Sequence, residues 1–200
     1  MDWTDAITHL TRVDPKLAPI VAQHGHPRIA PSDDPIQSLA RSIVYQQLSG
    51  KAAGTIWGRF LALYPRAKFP TPKRILATDD TALRAAGLSG AKAAAIKDLA
   101  RHVVEKRVLA KHLPGATDEQ IAEMLLPVRG IGPWSVDMFL MFSLARPDVL
   151  PVGDLGVRKG MQRHFNLRKL PTPERMTKLA APWRPFRTVA SWYMWRLLET

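Results

Sequence analysis

Two glycines one residue apart, in the stretch LPVRGIGPWSVDMFLMF, constrain this chain more than any other feature. Apolar residues at helical spacing on either side predict one helix over residues 118–127 and another over 133–145. The five residues VRGIG between them must therefore reverse the chain. Gly130 and Gly132 can adopt positive φ and, because they lack Cβ, let their backbone come close to another molecule. Such a turn directs N–H groups outward at a helix N-terminus, where an anion such as a phosphate binds.

By itself a G-x-G turn favours a plain connection between helices with a glycine C-cap, so the rest of the chain has to decide. Apolar residues recur at helical spacing in IQSLARSIVYQQL, AAAIKDLARHVVEK and VASWYMWRLLE, and strand-like alternation is absent. The 17 prolines and 12 glycines fall mostly between these runs, where they separate helices. Thr117, Thr172 and either Asp79 or Asp80 are suitable N-caps. The sequence predicts an all-α fold without a sheet.

Charge and cysteine content narrow the classes of function. There are 29 Lys+Arg against 17 Asp+Glu, a net charge of +12 spread along the chain, which suits a polyanionic partner or is simply a solvated basic surface. The absence of cysteine excludes disulfides, thiolate zinc sites, a cysteine nucleophile and a cysteine-bound iron-sulfur cluster. The start MDWTDAITHL lacks the basic residues of a signal peptide, and no apolar run approaches a membrane span. We expect a protein that does not contact membranes.

Four stretches of the chain resemble those of one known family. LPVRGIGPWSVDMFL resembles the hairpin of the helix-hairpin-helix DNA glycosylase superfamily, and VLPVGDLGVRKG supplies Asp154 where that family has its catalytic aspartate. SLARSIVYQQLSGKAAGTIWGRF and APWRPFRTVASWYMWRLLE are further matches, so the resemblance extends from about residue 35 to the C-terminus. Within the superfamily the chain is most similar to the 3-methyladenine DNA glycosylase II branch, whose members remove alkylated bases.

The resemblance implies a single catalytic unit over residues 1–200, built as a two-lobed helical bundle with the active site in the cleft between the lobes. A central lobe would span residues 33–147 and contain the hairpin at 118–145. Residues 1–32 together with 148–200 would form the second lobe. The implied partner is double-stranded DNA that contains alkylated bases, bound by a monomer. The protein would be cytoplasmic and nucleoid-associated if bacterial, or nuclear if eukaryotic.

One position distinguishes the mechanisms found in this superfamily. Members that also cut the strand resemble one another in having a nucleophilic lysine two residues after the second hairpin glycine, and Trp134 stands there in this chain. Because an indole cannot form a Schiff base, we expect a monofunctional enzyme that uses water and needs no cofactor. Lys159 is a weaker candidate for the missing amine. A non-catalytic DNA-binding module and a glycosylase-lyase for oxidised bases are the alternatives.

Asp154 is both a candidate N-cap for the helix that follows it and the candidate catalytic acid. A carboxylate beside C1′ would stabilise the oxocarbenium-like charge that grows as the glycosidic bond breaks, and would help orient water. Asp137, inside the second hairpin helix, is the other acid of the motif, and we interpret it as a structural or supporting residue. The two roles of Asp154 are compatible.

Three apolar side chains are candidates for the pocket that receives the flipped base. Alkylated purines such as 3-methyladenine carry a positive charge, which aromatic faces attract. Trp134 is the first candidate; by resemblance Trp195 lines the same pocket, and Met138 occupies a place where relatives carry an aromatic residue. Core packing is the alternative for all three.

By resemblance the turn YQQLSG offers Gln46, Gln47 and Leu48 to the minor groove as a wedge that fills the place of the flipped base. The alternative is that these residues at a helix end pack against the hairpin. Ser49, Lys51, Gly130 and Gly132 are expected to hold phosphates, which positions the enzyme without reading the base sequence. In this family the hairpin often binds a structural Na⁺ or K⁺ through backbone carbonyls, which here would be those of Leu126, Val128 and Ile131.

Overall fold

A computed structural model describes residues 2–199, and all regular elements in that range are helical. The predicted all-α class is confirmed. The α-helices of the described chain are α1 Thr4–Val13, α2 Ala18–His24, α3 Pro35–Tyr45, α4 Gly50–Ala62, α5 Pro72–Ala77, α6 Asp80–Ala85, α7 Gly90–Val104, α8 Asp118–Leu125, α9 Pro133–Phe142, α10 Leu155–His164, α11 Pro173–Leu179 and α12 Arg187–Arg196. Three short 3-10 helices lie between them, at Pro15–Leu17, Ala110–His112 and Ala181–Trp183.

The helix starts follow from N-caps that the sequence supplies. Thr117 caps α8 with a complete capping box, since its hydroxyl accepts from the Gln120 N–H and the Gln120 side chain accepts from the Thr117 N–H. Thr172 caps α11 ahead of a proline in the first turn. Asp79 occupies the N-cap position of α6, but its side chain makes no capping hydrogen bond. The predicted caps therefore mark the correct boundaries.

One compact unit consists of residues 32–136 and is organised around α7. Helices α3, α5 and α6 all pack against α7, and α4 packs against α3. The indole of Trp57 stacks on Phe60 with their ring centroids 5.4 Å apart. The largest fully buried side chains of this core are Leu39, Ile43, Phe60, Leu83, Ile96, Leu99, Leu113 and Ile121. Burial of each such side chain contributes about 1.5–3 kcal/mol.

The second unit contains residues 2–31 together with 137–199, so the division falls inside α9. Helix α12 packs against α10, α1 and α2. A buried polar link ties its two chain segments together, because Asp14 Oδ2 lies 2.7 Å from His164 Nε2 and accepts the indole N–H of Trp183 at 2.9 Å. The predicted lobes, 33–147 and 1–32 with 148–200, stay predictions. Among residues 2–199 there is no helix long and apolar enough to cross a bilayer.

Candidate functional site

The turn between α8 and α9 is built by its own backbone and by one glycine. The Val128 N–H donates to the Leu125 carbonyl and the Ile131 N–H to the Val128 carbonyl, both at 3.0 Å. Gly130 adopts φ +79°, and a Cβ added there would lie 3.2 Å from the Ala95 Cβ on α7. Any larger residue at 130 would therefore be strained in its backbone and make a tight contact with Ala95 that a small shift would have to relieve.

Gly132 differs from Gly130. Both glycines can adopt positive φ, but only Gly130 does so, because the φ of Gly132 lies outside the positive range. A Cβ added there would meet no described atom within 4 Å. The open space in front of this backbone leaves room for another molecule to approach, as a phosphate contact requires.

The predicted phosphate contacts Ser49 and Lys51 lie at the start of α4. Ser49 is its N-cap, with Oγ accepting the Ala52 N–H at 3.3 Å. Both residues are exposed and line an open depression of about 440 Å³. A cation and outward N–H groups at a helix N-terminus suit a negatively charged group.

The three predicted wedge candidates, Gln46, Gln47 and Leu48, differ in their exposure and contacts. The Gln46 side-chain amide donates to the Gly130 carbonyl at 2.8 Å and to Ser135 Oγ at 3.3 Å. For Gln46 this contact favours the alternative of packing against the hairpin over the wedge role. Gln47 is exposed at φ +58°, and Leu48 is 40% exposed. Gln47 and Leu48 therefore remain the candidates for the minor groove.

Helix α7 supports both the wedge turn and the hairpin, which the sequence did not reveal. Lys92 Nζ donates to the carbonyls of Val44 and Gln46, each at 2.7 Å, and partial burial lowers the pKa of its amine. Two turns further along α7, Asp98 accepts the Arg129 N–H at 2.9 Å. These partners are far from α7 in sequence, so no local pattern marks them.

Asp154 is held in place by two donors on one oxygen. It is the N-cap of α10, and Oδ1 accepts the Val157 N–H at 2.8 Å. The same oxygen accepts the indole N–H of Trp195 at 2.8 Å. The half-buried carboxylate is thus fixed in orientation from α10 on one side and from α12 on the other.

Two glycines of α10 allow α12 to come close enough for this contact. A Cβ on Gly160 would lie 2.2 Å from the Met194 carbonyl oxygen, and a Cβ on Gly156 would lie 2.6 Å from the Trp195 ring. Both positions exclude a larger residue while α12 stays where it is. The spacing LGVRKG is therefore what places the Trp195 indole on Asp154.

Further groups of the same unit surround this carboxylate. The Trp195 ring lies 5.8 Å from that of Phe142, which is 40% exposed and was not singled out from the sequence. Burial, and secondly the charge of Asp154, raise the pKa of Asp137 to about 6. From the sequence we interpret Asp137 as a supporting residue. The effect of the Asp154 charge on the pKa of Asp137 agrees with that interpretation.

The other predicted pocket residues are Trp134 and Met138. Trp134 is 45% exposed, so it is not a core residue, and it stands in the first turn of α9. Met138 is half-buried on the next turn. Both remain predictions as contacts to a base.

The described residues 2–199 contain no group of three or more His, Cys, Asp or Glu that could hold a metal ion. The predicted cation site depends instead on the carbonyls of Leu126, Val128 and Ile131. Of these, the Val128 carbonyl already accepts the Ile131 N–H within the turn. All three predicted ligands are uncharged backbone carbonyls, which are the type of ligand that the predicted monovalent cation would need.

Known proteins are similar to this chain over nearly its whole length. DNA-3-methyladenine glycosylase 1 of Schizosaccharomyces pombe is 34% identical over 197 residues, covering 96% of this chain and 86% of that protein. The structure of S. pombe 3-methyladenine DNA glycosylase in complex with abasic DNA superposes with a TM-score of 0.86 at 33% identity, covering 98% of this chain and 97% of that one. DNA-3-methyladenine glycosidase from Bacillus halodurans also has a TM-score of 0.86, at 34% identity over 98% and 89%.

The family model described as HhH-GPD superfamily base excision DNA repair protein matches residues 40–185. That range contains the exposed YQQLSG turn, the hairpin and Asp154. The chain therefore belongs to the HhH-GPD superfamily of base excision DNA repair proteins.

Proposed function

We propose that this protein is a monofunctional DNA glycosylase that excises alkylated bases, such as 3-methyladenine and 7-methylguanine, in base excision repair. The observation that carries the proposal is the fixed carboxylate of Asp154, held at 2.8 Å by both the Val157 N–H and the Trp195 indole. The names of its relatives, DNA-3-methyladenine glycosylases at 33–34% identity, support the substrate class.

The reaction replaces the bond between C1′ and the base nitrogen with a bond to water oxygen. The cationic alkylated base leaves with the bonding electron pair as a neutral free base, and C1′ acquires oxocarbenium character. The carboxylate of Asp154 stabilises that positive charge and orients the water that adds to C1′, whose proton is released to solvent. Because the carboxylate is already oriented by two donors, little reorganisation is needed at the moment of reaction.

Recognition of the flipped base rests on aromatic faces. Trp195 and Phe142 form a tilted pair beside Asp154, and an alkylated purine carries a positive charge that an electron-rich ring attracts. By resemblance to the family, Trp134 and Met138 are proposed as further contacts to the base. A lysine stands at neither position, which supports water rather than an amine as nucleophile.

The remaining assignments concern how the enzyme holds DNA. Ser49, Lys51, Gly130 and Gly132 contact phosphates, while Gln47 or Leu48 fills the place that the flipped base leaves. A net charge of +12 favours binding to the phosphate backbone of duplex DNA regardless of its base sequence. We propose further that the protein acts as a monomer on chromosomal DNA, in the nucleoid of a bacterium or the nucleus of a eukaryote. A Na⁺ or K⁺ on the hairpin carbonyls would be structural, and no redox cofactor or iron-sulfur cluster takes part.

The test is chromatography of free bases released from methylated duplex DNA, with strand cutting scored before and after alkali. Release of methylpurines, with cuts that appear only after alkali, is expected of a monofunctional enzyme. Cuts without alkali together with a covalent complex trapped by borohydride would indicate a glycosylase-lyase instead. DNA binding without release of any base would leave a non-catalytic module and overturn the proposal.

A further inference from the structure

Gln46 stands at the base of the exposed turn and is held through its backbone N–H, its backbone carbonyl and its side-chain NH₂ group. Its N–H donates to the Ser42 carbonyl at 3.2 Å, and its carbonyl accepts from Lys92 Nζ at 2.7 Å. Its side-chain amide donates to the Gly130 carbonyl at 2.8 Å and to Ser135 Oγ at 3.3 Å. The next residue, Gln47, is already exposed and left-handed, so Gln46 is the last anchored residue before the tip of the turn.

The hairpin that Gln46 contacts is anchored independently on α7. Gly130 lies so close to Ala95 that an added Cβ would approach it to 3.2 Å, and the Arg129 N–H donates to Asp98. Ser135, the second acceptor of the Gln46 amide, is only 6% exposed. The tip of the turn and the glycine turn of the hairpin are therefore joined both through α7 and directly through one glutamine side chain.

We propose that Gln46 is a positioning residue that fixes the tip Gln47–Leu48 relative to the hairpin glycines, so that insertion into the minor groove and the grip on the phosphates occur at one set spacing. This inference rests on the proposed function. Gln46 touches neither the phosphates nor the reacting bond, and its effect is on extrusion of the base from the stack. Base extrusion needs the wedge to enter at the gap left by the nucleotide whose backbone is held.

The substitution that removes this link with the least change in shape is Gln46→Glu. A carboxylate of the same size cannot donate, and it places a negative charge beside the Gly130 carbonyl. When protonated, the same side chain regains one O–H donor. Gln23→Glu is the matched control, because it makes the same change of charge at an exposed position of α2 and leaves the contacts of Gln46 intact.

The experiment measures base extrusion and base release separately for the full chain. Extrusion is followed by stopped-flow fluorescence of a 2-aminopurine placed beside a 7-methylguanine or an abasic site. Release is followed as the single-turnover rate on two duplexes, one with the methylated base paired and one with it opposite an abasic gap. Affinity for undamaged duplex and the thermal midpoint are recorded for each variant.

For Gln46→Glu at pH 8 we expect extrusion and release from the paired duplex to fall about tenfold or more, since small displacements of positioning groups cost this much. The loss should be smaller on the gapped duplex, and affinity for undamaged DNA should stay within about twofold, as phosphate contacts set it. The ratio of variant to wild-type rate should rise toward acidic pH as the introduced carboxyl gains its proton. A role in stability alone would lower the thermal midpoint of the variant and leave the rate of extrusion per folded molecule unchanged.

Three outcomes would overturn the inference: equal losses on both duplexes, a rate ratio that does not change with pH, or wild-type extrusion by the variant. If Gln46→Glu does not fold, Ser135→Ala removes one acceptor of the link and should give a smaller loss of the same pattern; an unchanged extrusion rate would then contradict the proposal. A wild type that extrudes 2-aminopurine but releases no base would contradict the proposed function instead, and the extrusion rates would still test Gln46.

Discussion

At the scale of single residues, the arrangement around Asp154 explains why Trp195 is needed in two capacities. Its ring lies against Phe142, and its N–H donates to the carboxylate at 2.8 Å. The packing role requires an aromatic ring, whereas the positioning role requires an indole. These two roles are separable by substitution.

Trp195→Phe keeps an aromatic ring and removes the indole donor. We expect single-turnover base release to fall about tenfold, because loss of one hydrogen bond to a charged group corresponds to about 1.5 kcal/mol. Affinity for undamaged DNA should not change. Trp192→Phe, on the same helix and without a bond to Asp154, is the control, and equal losses in the two variants would argue against the positioning role.

The raised pKa of Asp137 predicts that the free energy of unfolding depends on pH. Its pKa is raised to about 6 in the folded protein from an ordinary value of 3.8, chiefly by burial. The folded state thus binds this proton more tightly than the unfolded state. The stabilisation associated with that proton is fully present below about pH 4 and is lost as the pH rises to about 6.

Asp137→Asn should therefore increase the free energy of unfolding at pH 7.5. The carboxylate is partly exposed and screened by water, so we expect about 1 kcal/mol, shrinking to nothing near pH 4. Denaturant titrations at pH 7.5 and near pH 4 measure this gain in the free energy of unfolding. Asp33→Asn, at an exposed carboxylate, should show no such gain, and a loss of stability in Asp137→Asn at pH 7.5 would refute the interpretation.

At the scale of the elements, the close packing of α10 on α12 depends on Gly160. Gly160→Ala would bring a Cβ to 2.2 Å from the Met194 carbonyl oxygen, so one helix must move. We expect a loss of about 2–3 kcal/mol in unfolding free energy, typical of overpacking, together with impaired base release as Trp195 shifts.

The matched control is Gly58→Ala in α4, where an added Cβ meets no described atom within 4 Å. Because alanine favours helix over glycine, this variant should gain about 0.5–1 kcal/mol. Thermal and denaturant unfolding of the two variants give the comparison. Equal stabilities for both would contradict the close contact between α10 and α12.

The hairpin illustrates what a sequence pattern predicts at this scale and what it misses. The predicted helices 118–127 and 133–145 are observed as Asp118–Leu125 and Pro133–Phe142, with starts correct and ends too late. The starts carry local signals, namely Thr117 and Pro133. The end of α9 does not, because the chain after the helix passes through Ala145, a buried non-glycine residue at φ +52°.

At the scale of the whole molecule, the net charge of +12 predicts binding to undamaged duplex that weakens as salt is added. Lys51→Gln should reduce the slope of log affinity against log salt by about one phosphate contact. Release of bases at saturating DNA should be unaffected. Lys178→Gln on α11, also exposed, is the charge-matched control. Identical slopes for the two variants would contradict the proposal that Lys51 contacts a phosphate.

The sequence predicted the all-α class, the family and Asp154 as an N-cap, because helical periodicity, capping residues and a motif of fixed spacing are local signals. It offered packing of Gln46 against the hairpin only as an alternative to the wedge role, and it did not predict the Val44 partner of Lys92, which is 48 residues away along the chain. It also missed the Trp195 bond to Asp154, 41 residues away. Contacts of this kind depend on the completed packing of helices, which no short stretch encodes.

The central claim is that the fixed carboxylate of Asp154 carries the chemistry. The most direct measurement is the single-turnover rate of methylpurine release from methylated duplex DNA by the wild type and by Asp154→Asn, with affinity for the same DNA measured alongside. The side-chain carbonyl of asparagine can still cap α10 and accept from Trp195, but it carries no charge. We expect a fall of about 10²–10³-fold in release with affinity retained, as for loss of one electrostatic stabiliser. Release by Asp154→Asn at the wild-type rate would contradict the account.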